Sequence, residues 1–135
     1  MVAKTSVGDF MVPLKKLVCF RPDMEMLEAI DLLLDNRISG APVVDNKQNL
    51  VGMLSEKDCL RLGLSAHYHN IRGGLVSDFM SKNVQSVDIS ASIVNVTEDF
   101  TNCHYRRLPV INRLEEDKFV GQISRRDLLK AVTSM

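Results

Sequence analysis

The chain has 135 residues, enough for one domain or for two small halves sharing a core, and its 45% hydrophobic and 25% charged content is that of a soluble globular protein. Seventeen basic side chains balance seventeen acidic ones, and each half is balanced too: 8 basic and 9 acidic in residues 1–70, 9 and 8 in residues 71–135. With no basic arm for nucleic acid or an anionic membrane, no apolar leader and no apolar run approaching ~18 residues, a cytoplasmic protein is expected.

In chain order, VGDFM at 7–11 reads as a short leading turn, and the apolar run Leu17 to Phe20 predicts a strand. Pro22 and Asp23 supply helix-start chemistry, and Leu27, Ile30 and Leu34 recur behind them at helical spacing. APVVD then predicts a proline-led strand, apolar throughout, as a strand buried on both faces would be. A polar turn, NKQN, leads into a third strand, LVGMLS, and on to a helix with Ser55 at its N-cap and Asp58 three places later. GLSAHYHNIRGG is polar and glycine-containing and predicts a linker.

The order then begins again. VSDFM at 76–80 repeats VGDFM at a spacing of 69 residues, and Val84 to Val87 predicts a strand. Asp88 to Ser90 starts a helix carrying Ile93, Val96, Phe100 and Cys103, and RRLPVIN supplies the proline-led strand. RLEED turns the chain into FVGQIS, and Ser124 with Asp127 opens the last helix. VGMLSEKDCL and VGQISRRDLL are again 69 residues apart. Three blocks in one order at nearly one spacing, with one small gap where Pro42 is matched to Pro109, are an internal repeat. The expected fold is α/β (α+β): two β-α-β-β-α repeats at 6–66 and 76–133, joined by a linker at 67–75 and packed with pseudo-twofold symmetry. Halves of this size bury little core alone.

Ser-x-x-Asp at a helix start approximates a capping box, with Asp in place of the usual Glu. It also sets a carboxylate and a hydroxyl beside free backbone N–H groups and the positive end of a helix dipole. A carboxylate can accept both hydrogen bonds of a ribose diol, while a hydroxyl and adjacent N–H groups suit a phosphate. One helix start can therefore hold the sugar and phosphate of a nucleotide, and this chain has two such starts.

The paired VGMLSEKDCL and VGQISRRDLL, preceded by APVVD and RRLPVIN, resemble a tandem CBS-domain pair, or Bateman module, over roughly residues 6 to 133. The resemblance implies clefts between the repeats in which Asp58 and Asp127 bind ribose hydroxyls and Ser55 and Ser124 hold phosphate. It further implies that backbone and apolar side chains at Ala41, Val43, Leu108 and Val110, with Val12 and Met80, line an adenine slot. The implied ligand is an adenine nucleotide (AMP, ADP, ATP or a related adenosyl compound), and the implied assembly is a flat homodimer. Apolar residues of the post-strand helices (Leu60, Leu62, Leu128 and Leu129) are expected at its interface.

The repeats are unequal in charge. Arg106 and Arg107 precede the second proline-led strand where Ser39 and Gly40 precede the first, and Arg125 and Arg126 follow Ser124 where Glu56 and Lys57 follow Ser55. Phosphate recognition is expected to rest on those four arginines. His67 and His69 read as linker residues, with no third metal ligand apparent, and Cys19, Cys59 and Cys103 as reduced thiols serving as small buried apolar residues. Ser55 and Ser124 have no evident base, and the chain has no P-loop and no metal signature, so an enzyme is not expected. The leading reading is a regulatory binding module acting on an unidentified protein partner. The alternative is a structural dimerisation module with empty clefts.

Overall fold

The computed structural model describes residues 4–69 and 74–134, and the side chains of 66–69 are not described. In chain order the elements are α1 (Val7–Phe10), β1 (Val12–Pro13), α2 (Met26–Asn36), β2 (Gly40–Val44), β3 (Leu50–Ser55), α3 (Glu56–His69), α4 (Val76–Phe79), β4 (Val87–Asp88), α5 (Ile93–Asn102), β5 (Arg107–Asn112), β6 (Lys118–Ser124) and α6 (Arg125–Thr133). This is the mixed α/β fold of two β-α-β-β-α repeats. None of the helices among the described residues is long and apolar enough to cross a membrane. Helix α3 continues to His69, through much of the stretch whose composition reads as a linker; the side chains of His67 and His69, and residues 70–73, lie outside the described residues.

The chain forms two compact units whose membership cuts across the repeats: residues 18–84 make one, and the opening residues to Leu17 join Gln85 onward in the other. In the 18–84 unit, β2 and β3 pair antiparallel with Gly40 opposite Ser55, Pro42 opposite Met53 and Val43 opposite Gly52. Phe20 bridges β2 in parallel, donating its N–H to Pro42 O at 2.9 Å and accepting from Val44 N–H at 2.8 Å. On the other side Ser81 exchanges two 2.9 Å bonds with Met53. The other unit has the same lane order written out in full as a sheet, β4-β5-β6-β1. There Arg107 stands opposite Ser124, Pro109 opposite Gln122, and Val12 on the far side of Gln122.

The edge lane beside β3 or β6 thus comes from the leading segment of the opposite repeat. Glycine makes this possible. A Cβ on Gly121 would sit 2.5 Å from Val12 O, and one on Gly52 would sit 2.6 Å from Met80 Sδ and 2.9 Å from Ser81 O. The leading turns are also pinned by main-chain bonds: Val7 N–H to Ala91 O and Gly8 N–H to Ile89 O in one unit, and Val76 N–H to Met24 O and Ser77 N–H to Pro22 O in the other, all at 2.9 Å.

Each unit has its own core. Phe20, Met26, Ala29, Leu33, Ala41, Val43, Leu54, Leu62 and Val76 form one; Val7, Ile93, Val96, Phe100, Leu108, Val110, Ile123, Leu128 and Ala131 form the other. Several expectations are corrected here. Helix α2 buries Met26, Ala29 and Leu33, leaving Leu27 and Leu34 62% and 70% exposed, because the inward stripe runs through the small Ala29. Leu62 and Leu128 are core residues, so of the four interface leucines only Leu60 and Leu129 stay exposed. Cys103 caps the end of α5 in solvent, and Cys19 and Cys59 are half-buried. Helices α2 and α5 begin at Met26 and Ile93 without side-chain caps. Asp88 instead holds the turn beyond β4 by accepting from Ser90 and, at 2.9 Å, from Arg113 N–H.

Candidate functional site

The two Ser-x-x-Asp segments fold alike. Each strand ends at its serine, and each helix starts at the next residue. Asp127 Oδ2 accepts from Ser124 N–H at 2.9 Å and from Ser124 Oγ–H at 2.9 Å, while Ser124 Oγ accepts from Asp127 N–H at 3.3 Å. At the other start the corresponding distances for Asp58 and Ser55 are 2.9, 3.0 and 3.2 Å. Both are capping boxes closed by the shorter Asp, and Asp58 and Asp127 retain only 8% and 7% of their exposure.

Capping and ligand binding are compatible because the box uses one carboxylate oxygen. Oδ1 of Asp127 receives no hydrogen bond among the described residues, whereas Oδ1 of Asp58 meets Arg61 Nη1 at 3.4 Å. Arg61 was not anticipated, although its place three residues after Asp58, one helical turn on, is the signal that could have found it. Cross-strand bonds then fix the first turn. Glu56 N–H donates to Ser39 O at 2.9 Å and Arg125 N–H to Arg106 O at 3.1 Å, leaving the N–H of Lys57 and of Arg126 without intrahelical acceptors.

The strand register brings Arg107 opposite Ser124 where Gly40 stands opposite Ser55. Arg106 and Arg126 are exposed around the same helix start. Arg125 turns elsewhere: its Nε donates to Tyr105 O at 2.6 Å, and its side chain lines a groove of ≈ 350 Å³ with Thr97, Phe100 and Leu128. The side chains of Ala41, Val43, Leu108 and Val110 are core, so what they offer a ligand is main chain. Val12 belongs to the Ser124 unit through β1, and Met80 to the Ser55 unit, against Gly52. Leading segments and capping boxes are therefore combined across repeats, a pairing that no local pattern in the sequence encodes. Cys59, next to Asp58, has its thiol pushed up by burial and then by the charges of Asp58 and Glu56, so it stays protonated at neutral pH. Among the described residues no group of three or more His, Cys, Asp or Glu side chains is arranged to hold a metal ion.

The family model for the CBS domain matches twice, over residues 7–65 and 76–134. The chain belongs to the CBS-domain family. It is 28% identical to the CBS domain-containing protein CBSX1, chloroplastic, of Arabidopsis thaliana, the match covering 93% of this chain and 63% of that protein; the chain thus spans less than two thirds of this relative. The crystal structure of Arabidopsis CBSX2 in complex with AMP superimposes with a TM-score of 0.83 at 28% identity, over 96% of this chain and 97% of that one. Inosine-5'-monophosphate dehydrogenase of Aquifex aeolicus is 32% identical over 84% of this chain, a stretch that makes up 22% of the enzyme. The CBS repeats are thus what these proteins share with this chain.

Proposed function

We propose that this protein is a regulatory module that binds an adenine nucleotide at the helix starts of its CBS repeats and acts on a protein partner without turning the ligand over. One observation carries the reading: each capping box spends a single carboxylate oxygen, and at Asp127 the other is left for a ligand beside a helix N-terminus, opposite Arg107. In this reading Asp127 and Asp58 accept the ribose diol, and Ser124 and Ser55 with the first-turn N–H groups meet phosphate. The main chain at Ala41, Val43, Leu108 and Val110, with Val12 and Met80, receives the adenine. Arg107, Arg106 and Arg126 supply the phosphate's cationic partners, with Arg125 recruited only if it leaves Tyr105 O. AMP in CBSX2 supports the adenosine part of the reading.

The exposed leucines of the helix faces, Leu60 at 72% and Leu129 at 67%, support a homodimer formed across them. Three separated free thiols fit a reducing cytoplasm. The competing reading, a dimerising module with empty sites, draws on the completeness of both boxes as caps. Calorimetric titration of adenosine, AMP, ADP and ATP into nucleotide-free protein separates the two. Binding that strengthens from adenosine to AMP, weakens with salt and is lost in Arg106→Ala/Arg107→Ala supports the sensor. Absence of binding to every ligand supports the structural module.

A further inference from the structure

We propose that Gln122 reads the base in the Asp127 site, and that the Asp58 site, with Met53 in the matching place, has no such reader. The inference rests on the nucleotide reading above and extends it to the ligand's base.

Ile123 on β6 is fully buried in the core, so alternation turns its neighbours Gln122 and Ser124 to the opposite face of the strand. Their cross-strand partners, Pro109 and Arg107, share that face, and Val12 flanks Gln122 from β1. Gln122 is half-buried between two apolar residues, and its side chain makes no hydrogen bond among the described residues. Two residues along the strand, about 6–7 Å away, lies Ser124, gripped by Asp127 and opposite Arg107. Along this face the amide of Gln122 thus stands two residues from Ser124, where the Asp127 carboxylate is bound and Arg107 lies across the strand pair. A ligand whose ribose and phosphate sit at Ser124 can therefore reach Gln122 with its base. In a nucleotide the ribose stands between base and phosphate, so anchoring the sugar at Asp127 leaves the base free to extend along β6.

A primary amide carries both donors and an acceptor, and a glutamine can pair at two points with the amino group of adenine and an adjacent ring nitrogen. A purine with nothing at the six-position leaves part of that amide unpaired in a half-buried setting, and such a loss discriminates against the poorer ligand. In the other unit Met53 stands opposite Pro42 and bonds Ser81 through its main chain. Its thioether is a weak acceptor and no donor, so it meets a base by contact alone. The ligand class that satisfies Gln122 is therefore a purine nucleotide with a hydrogen-bonding group at the six-position.

The test compares AMP with purine riboside 5′-monophosphate, which lacks the amino group. Both are titrated calorimetrically into nucleotide-free protein carrying Asp58→Asn, so that the Asp127 site reports alone. A preference for AMP of about three- to tenfold is expected, falling to near unity in Gln122→Met, a change of similar size that copies the residue at position 53. Met53→Gln, in protein carrying Asp127→Asn, should raise the preference at the other site. An AMP preference that survives Gln122→Met overturns the inference while leaving the nucleotide reading intact. Failure of wild-type protein to bind either nucleotide overturns both.

Discussion

Replacing Asp127 by asparagine keeps an oxygen for Ser124 but turns the outward acceptor into an amide donor; replacing it by alanine removes both oxygens. Oδ2 accepts two hydrogen bonds, from Ser124 N–H at 2.9 Å and from its hydroxyl at 2.9 Å. Loss of a helix cap costs about 0.5–2 kcal/mol, and alanine also strands a half-buried N–H, so Asp127→Ala should lie near the top of that range. Asparagine points its oxygen at the same two donors and loses only the charge assistance, which should hold its cost to about 1 kcal/mol or less. Affinity should follow a different order. Both variants lose the charged acceptor for the ribose diol, worth roughly 1.5–3 kcal/mol, so both should weaken AMP binding on the order of tenfold to hundredfold. Urea unfolding measures the first quantity and calorimetric titration the second. If Asp127→Asn binds AMP as tightly as wild type, Oδ1 accepts nothing from the ligand and the carboxylate is only a cap.

Gly121→Ala should destabilise the protein by about 1–3 kcal/mol, because its Cβ would sit 2.5 Å from the Val12 carbonyl, whereas Gly63→Ala, open on all sides within α3, should gain about 0.5–1 kcal/mol. Equal melting shifts for the two glycines in scanning calorimetry would contradict the docking role of Gly121. Leu60→Lys with Leu129→Lys should turn the proposed homodimer into a monomer by light scattering while the far-UV circular dichroism stays that of the folded chain; a persistent dimer rules out these helix faces as the interface. The carboxyls of Asp45, held by backbone N–H donors led by Asn49, and of Asp88, held first by Ser90, lie below the ordinary value of 3.8. Their contribution to stability is complete above that value and lost as pH falls through the depressed one. Asp45→Asn should therefore flatten the loss of stability below about pH 4 in urea titrations, and an unchanged acid limb would refute it.

Much of this protein is written locally. The 69-residue repeat, the proline-led strands and the Ser-x-x-Asp helix starts are read from side-chain period and cap chemistry, because capping boxes and strand alternation depend on neighbours within a few residues. The stripe Ile93, Val96, Phe100 was legible for the same reason. The phase of α2 was not, since Leu27 and Leu33 are equally apolar and only the sheet beneath them decides which turns inward. Nor could composition tell Leu62 from Leu60, or Leu128 from Leu129, one residue or two around a helix. The larger decision was also tertiary. Residues 7–13 leave their own repeat to complete the sheet that ends in Ser124, and residues 76–81 complete the lanes that end in Ser55. Glycines 52 and 121 permit that exchange, yet a glycine in a strand says only that something passes close, and what passes is fixed by backbone pairing between segments some 30 to 110 residues apart. For the same reason Arg125 could be counted as a phosphate ligand from its position after Ser124, while its actual partner, the carbonyl of Tyr105, is set by how β5 and α6 meet.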